Sequence, residues 1–240
     1  MTLTLRSVVV SDLGKVRTNN EDAAHAGSSL IAVADGMGGL PAGDLASGIV
    51  MRALKPLDKR KIPPGGAAGI LRAAVEAAND EVRVTAAADP AREGMGTTVT
   101  ALLRDGDALA LLHIGDSRCY RLRDGELVQI TRDDTFVQSL VDEGVISRDE
   151  ARVHPHKSLV TQALQGHPLE PTELRLALRA GDRYLLCSDG LSDVVRDETI
   201  GETLDEIADR KECAGRLIDL AYRAGAPDNI TVVVADVVES

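Results

Sequence analysis

TTVTALLRDGDALALLHIGDSRCYRLRDGELVQI, residues 97–130, decides the fold class. Within it, TTVTALL (97–103), ALALLHI (108–114), RCYRLR (118–123) and ELVQI (126–130) are short runs rich in apolar or β-branched residues, parted by turn residues. This pattern predicts a meander of antiparallel strands. Two of the turns are Asp-Gly pairs, 105–106 and 124–125, with charge around them and a strand on each flank, the signature of a hairpin.

On the N-terminal side the period becomes helical. One amphipathic helix is expected at about 42–56 and a second at about 67–86, the latter with Ile70, Leu71, Ala74, Val75, Ala78 and Val82 on one face. KRKIPPGGAAG (59–69) is the loop between them. On the C-terminal side a mixed segment, 134–160, begins with helical FVQSLVDEGVI. Strand-like ELRLAL and RYLLCS follow, then two helices at about 197–208 and 211–224 and a last strand, NITVVVADVV. Strands and helix pairs are segregated rather than alternating, which predicts an α+β architecture over a doubly wound parallel sheet.

The chain has 240 residues, 44% of them apolar, enough for one sizeable core and a single domain over 1–240. With three Tyr, one Phe and no Trp, that core is built from aliphatic side chains. A net charge of −11 disfavours nucleic-acid binding, which draws on basic patches. No apolar run approaches the roughly 20 residues that span a bilayer, and MTLTLRSVVV lacks the features of a signal peptide. A cytoplasmic protein is expected. Cys119, Cys187 and Cys213 are far apart and odd in number, so they read as buried free thiols rather than a zinc site or a disulfide framework.

The chemistry lies in four carboxylates. Asp35 in LIAVADGMGG and Asp189 in YLLCSDGLSD each follow an apolar, buried-looking strand directly, unlike the two hairpin Asp-Gly pairs. Asp116 ends the apolar run of LLHIGDSR, and Asp228 opens PDNITVVV. Taken singly, each could be a strand-end cap bonding nearby backbone N–H groups. Converging, they would repel one another and resist ionisation, and a shared hard divalent cation such as Mg²⁺ or Mn²⁺ accounts for all four together. In GKVRTNNED (14–22), Arg17 precedes Glu21 by four residues; it is either an ordinary surface ion pair or a guanidinium for phosphate beside further carboxylates.

RTNNED, ADGMGG, GMGTT, HIGDSR, LLCSDGLSD and PDNITVVV, in this order over about residues 5–238, resemble the metal-dependent serine/threonine protein phosphatases (type 2C, or PPM), with the DGMGG form resembling the bacterial branch. The resemblance implies a four-layer αββα sandwich: two antiparallel sheets with a helix pair on each outer face. It implies that Asp35 bridges two Mn²⁺ or Mg²⁺ ions, with the Gly36 carbonyl on one and Asp189 and Asp228 on the other. Glu21 would join the second ion's shell directly or through water, with Asp22 behind it. Asp116, with Asp189 and Asp193, matches a third, weaker ion site, and Arg17 matches the phosphate-binding arginine. The segment at about 134–165 falls where bacterial members carry a mobile flap.

The reaction so implied is hydrolysis of phosphoserine and phosphothreonine in proteins by in-line attack of a metal-bridging hydroxide. A Ser/Thr kinase is expected among the partners, and the chain is expected to be a monomer. Met37 stands where many members have a histidine proposed as general acid, so the leaving group's proton must come from elsewhere, with metal-bound water the expected source. Two other readings compete: a serine hydrolase built on Ser117, and a non-catalytic phosphoprotein-binding module on the same fold.

Overall fold

The computed structural model describes residues 3–37 and 42–239; the last two glycines of the DGMGG motif, Gly38 and Gly39, lie outside the described residues. Strands β1 (Leu3–Asp12), β2 (Ala23–Ala26), β3 (Leu30–Ala34) and the short β4 (Gly36–Met37) lead to helices α1 (Gly43–Leu54) and α2 (Ala67–Ala87). Next come β5 (Gly96–Thr97), β6 (Val99–Asp105), β7 (Ala108–Ile114), β8 (Arg118–Arg123) and β9 (Glu126–Gln129). Helices α3 (Phe136–Asp142) and α4 (Arg148–Arg152) precede β10 (Thr172–Ala177) and β11 (Arg183–Cys187). The chain closes with α5 (Asp189–Ser192), α6 (Asp197–Glu206), α7 (Arg210–Arg223) and β12 (Ile230–Glu239).

Two five-stranded antiparallel sheets result, ordered β1-β12-β11-β8-β9 and β10-β7-β6-β3-β2. Alternation along each strand shares its side chains between two layers. Leu30, Ala32 and Ala34 pack with Ile49, Leu54, Leu71 and Val75 of α1 and α2, whereas Ile31 and Val33 meet Tyr184, Leu186, Val233 and Ala235 of the other sheet. Val232 and Val234 turn outward, towards Ile200, Leu204 and Leu217 of α6 and α7. Central strands are covered on both faces, which is why they read as unbroken apolar runs. The four-layer expectation is met, and on α2 Leu71, Val75, Ala78 and Val82 are the buried face, with Ile70 and Ala74 packed at its edge.

The meander is not one sheet. β6 pairs with β7 and β8 with β9, but between β7 and β8 the chain crosses from one sheet to the other. The crossing turns on Gly115, whose φ of +103° is open to glycine, and whose missing side chain would lie 2.6 Å from Thr98 Cγ2. Asp116 therefore stands at the seam between the sheets rather than in a hairpin. β1 and β2, which the sequence patterning did not mark, are edge strands with half-exposed faces.

The helix expected from FVQSLVDEGVI ends early. Gly144, at φ +70°, lets its N–H reach the Val141 carbonyl and that of Val145 reach Leu140, which terminates α3. A Ser147–Glu150 capping box then starts α4. This segment is tied at its base: Asp134 Oδ2 accepts from Gly115 N, and single bridges join Thr135 to Val160 and Thr97 to Leu164. All three cysteines are buried and free, and burial pushes the Cys187 thiol up to about 12, leaving it protonated and inert. Among the described residues no helix is long and apolar enough to cross a membrane.

Candidate active site

Asp35 leaves the end of β3 under tight backbone control. Its N–H donates to Thr98 Oγ1 at 3.0 Å, and its carbonyl accepts from Thr98 N and Thr97 Oγ1, each at 2.9 Å. With its peptide groups so satisfied, the carboxylate is left for the cleft. Gly36 follows where no side chain fits: a Cβ would lie 2.4 Å from the Gly43 backbone and 2.6 Å from the Glu21 carbonyl. That contact brings the start of α1 against the 13–22 loop and sets Glu21 at the cleft.

Asp189 and Asp228 are brought together by a second close approach. Asp189 opens α5 directly after β11, and a Cβ on Gly190 would sit 1.9 Å from the Asn229 carbonyl oxygen. Gly190→Ala is expected to lower stability by about 1–3 kcal/mol, as overpacking of a filled site does, and to part the two carboxylates; urea unfolding and activity measured on the same preparation check both. Asn229 is the organiser on the other side, donating to the Leu13 and Asn19 carbonyls at 3.0 Å and accepting from Glu21 N at 2.9 Å. Ser188 Oγ donates to Asp22 Oδ2 at 2.8 Å and accepts from Thr231 N. At the sheet-crossing corner, the Ser117 hydroxyl is paired with Thr98 Oγ1 at 2.8 Å, while Arg118 grips Asp133 with two nitrogens.

The result is a cleft of about 230 Å³. Asp35, Asp116, Asp189, Asp228 and Glu21 line it, with Gly36 and Met37, and Arg17 is its one cationic lining residue among those described. Ser158 and Val160 reach it from the 134–165 segment. Arg17 does not pair with Glu21, because 13–22 is irregular and four-residue spacing carries no helical meaning there; its Nη2 donates instead to Asp228 Oδ2 at 2.7 Å. Asp228 also accepts from Asn229 N, so the strand-cap reading holds for that residue in part. Asp193 stands apart from the cleft, in the adjoining cavity, with its Oδ2 on Lys157 Nζ at 2.7 Å.

Burial, then the neighbouring carboxylates Asp22, Asp189, Asp116 and Asp228, holds the Asp35 carboxyl well above the usual range; Asp189 is raised for the same two reasons. Asp116 is pushed up to about 7 by burial and by Asp133 and Asp193. Asp22 Oδ1 is shut off from solvent with no hydrogen-bond partner among the described residues. An orphaned buried carboxylate oxygen beside several mutually repelling carboxyls fits a hard divalent cation. The donors are all oxygen, without the sulfur or imidazole that marks a zinc site. Among the described residues no three acidic, histidine or cysteine side chains close on a single point.

Ser117 is no nucleophile: it is fully buried, and its hydroxyl is held by Thr98. His113 is a satisfied core residue, with Nδ1 on Thr100 Oγ1 at 2.9 Å and Nε2 on the Arg132 carbonyl at 3.0 Å. His154 and His156 pack on Phe136 in the 134–165 segment and do not line the cleft. The organising residues Asn229, Ser188, Thr97 and Thr98 escaped the sequence reading. Their signal was faint: polar side chains adjoining apolar strands, each next to a carboxylate of interest or on the strand beside it.

The chain matches the protein phosphatase 2C family over residues 15–220. It is 57% identical over 239 residues, 100% of its length, to the serine/threonine protein phosphatase PstP of Mycobacterium tuberculosis, of which it spans 46%. It is 33% identical to the serine/threonine phosphatase stp of Listeria monocytogenes, with 94% of this chain and 93% of that protein covered. A solved structure of the catalytic domain of PstP in complex with two manganese ions superposes with a TM-score of 0.93 at 56% identity, covering 99% of this chain and 100% of that one.

Proposed function

This chain belongs to the protein phosphatase 2C family, and we propose that its cleft hydrolyses phosphoserine and phosphothreonine esters in proteins with two Mn²⁺ or Mg²⁺ ions. The observation that carries this reading is the convergence of Asp35, Asp116, Asp189, Asp228 and Arg17 on one small cleft. Asp35, on which Asp22, Asp189, Asp116 and Asp228 all act, would hold the ions together with the Gly36 carbonyl, Asp189 and Asp228, with Glu21 at the margin. Asp116 and Asp189, with Asp193, would hold a third ion more weakly, Asp193 being paired with Lys157 here. When bound, the ions neutralise the carboxylates, draw charge from the phosphoryl oxygens and lower the pKa of water towards neutrality.

Arg17 meets the substrate. Its guanidinium, held at the cleft by Asp228, turns to the phosphoryl oxygens, grips them bidentately and stabilises the charge that grows there. Met37 lines the cleft and has no proton to give; the leaving oxygen takes its proton from water. The 134–165 segment is a flap that closes over the site through Ser158 and Val160. Such substrates presuppose a kinase that phosphorylates serine and threonine.

Arg17→Ala is expected to lower kcat/KM on a phosphothreonine peptide by roughly 10²-fold, and Arg17→Lys to recover only part of that, because an ammonium lacks the planar fork. The test of the function itself is phosphate release from phosphopeptides with Mn²⁺, lost on adding EDTA. Turnover that survives EDTA overturns the metal-dependent reading; a protein inert on every phosphopeptide with Mn²⁺ favours the binding module instead.

A further inference from the structure

Beside the cleft lies a second cavity of about 430 Å³ that shares Arg17, Ser158, Asp189 and Asp228 with it. Three carboxylates, Asp189, Asp193 and Asp228, line it against two cations, Arg17 and Lys157, which pair with Asp228 and Asp193 at 2.7 Å. That excess of negative charge does not suit a second phosphate or an acidic side chain. Its uncharged wall includes aliphatic groups. Val16 and Pro227 form part of the wall and both are exposed, Val16 at 68%. Val16 joins none of the three core clusters, so core packing does not account for it. Two exposed aliphatic groups side by side in the wall of a cavity that opens on the reaction cleft offer an apolar contact to a bound chain.

Reach identifies the occupant. Successive residues of an extended chain are about 3.3–3.6 Å apart, so with the phosphoryl group at Arg17 the adjoining residue of the substrate falls where the two cavities share their walls. We infer that this second cavity is a specificity subsite, taking an aliphatic side chain directly next to the phosphorylated residue in the substrate protein. Val16 and Pro227 supply one side and the 134–165 segment, fastened through Lys157 to Asp193, the other. The inference rests on the phosphatase reading above.

The test compares phosphothreonine peptides that carry leucine or aspartate immediately before or immediately after the phosphothreonine, with p-nitrophenyl phosphate, which has no flanking residue, as the reference substrate in Mn²⁺. The leucine peptide is expected to exceed the aspartate peptide in kcat/KM by about 10-fold at one of the two positions, the range a hydrophobic pocket gives. Val16→Asp, at an exposed position outside the core, is expected to bring that ratio to near one, and Val16→Ala to an intermediate value, each expressed relative to turnover of p-nitrophenyl phosphate. A flat profile at both positions, or a leucine preference unchanged in Val16→Asp, overturns the subsite while p-nitrophenyl phosphate is still hydrolysed. If neither p-nitrophenyl phosphate nor any peptide is turned over, the phosphatase reading falls and the subsite with it.

Discussion

Asp35→Asn is expected to reduce Mn²⁺-dependent phosphate release by roughly 10³-fold or more while the protein stays folded. Asparagine keeps the shape and leaves the Thr97 and Thr98 contacts to the backbone untouched. What it removes is the charge at the centre of the carboxylate group. Charge stabilisation by the ions contributes several kcal/mol, and each 1.36 kcal/mol is a factor of about ten in rate. The same change removes the repulsion between Asp35 and each of Asp22, Asp116, Asp189 and Asp228, and the cost of burying its charge, so the metal-free variant is expected to melt no lower than the parent. Its gain in Tm on adding Mn²⁺ is expected to shrink. Parallel steady-state assays and thermal melts check the pair of effects; activity above roughly a tenth of the parent's would exclude Asp35 as the bridging ligand.

The second large effect is a metal-dependent reversal of the stability–pH profile. Asp35, Asp116 and Asp189 all bind their protons more tightly folded than unfolded. Between the unfolded carboxyl pKa and the raised folded one, the native state carries extra protons, so stability falls as pH rises. For Asp116 that window runs from 3.8 to about 7. Metal-free protein is therefore expected to melt higher at about pH 5 than at about pH 8. Divalent ions bind the ionised carboxylates and act in the opposite sense. At 100 times its dissociation constant one ion adds about 2.7 kcal/mol, roughly 5–10 °C in Tm for a domain of this size, with most of the gain at the alkaline end. Melts in EDTA and in Mn²⁺ across this range decide it; identical curves at about pH 8 would count against a metal centre.

Much of the fold was legible because its driving forces are local. The hairpin at Asp124–Gly125 adopts positive φ at both residues, as its sequence requires. The helical stripe of α2 and the doubly covered strands follow from period alone. The meander was misread at Gly115 because strand patterning says where strands are, not which sheet takes them. β1 and β2 were passed over because β1 is half-exposed along most of its length and β2 has only four residues, all half-buried.

The residue types at the site, four strand-end aspartates and an arginine, were determined by the sequence, as was the hard-cation chemistry they suit, since charge and donor type belong to each residue wherever it lies. Their partners were decided only by the tertiary structure. Arg17 meets Asp228, 211 positions away, rather than Glu21, and Asp193 is drawn to Lys157 across 36 positions. Asn229 and Gly190 fix the separation of the acidic turns through contacts that no local pattern encodes. Sequence separation does not limit such contacts: once the two sheets pack, the ends of β3, β7 and β11 and the start of β12 meet at one edge, and which charges touch is settled by which loops the packed core leaves adjacent.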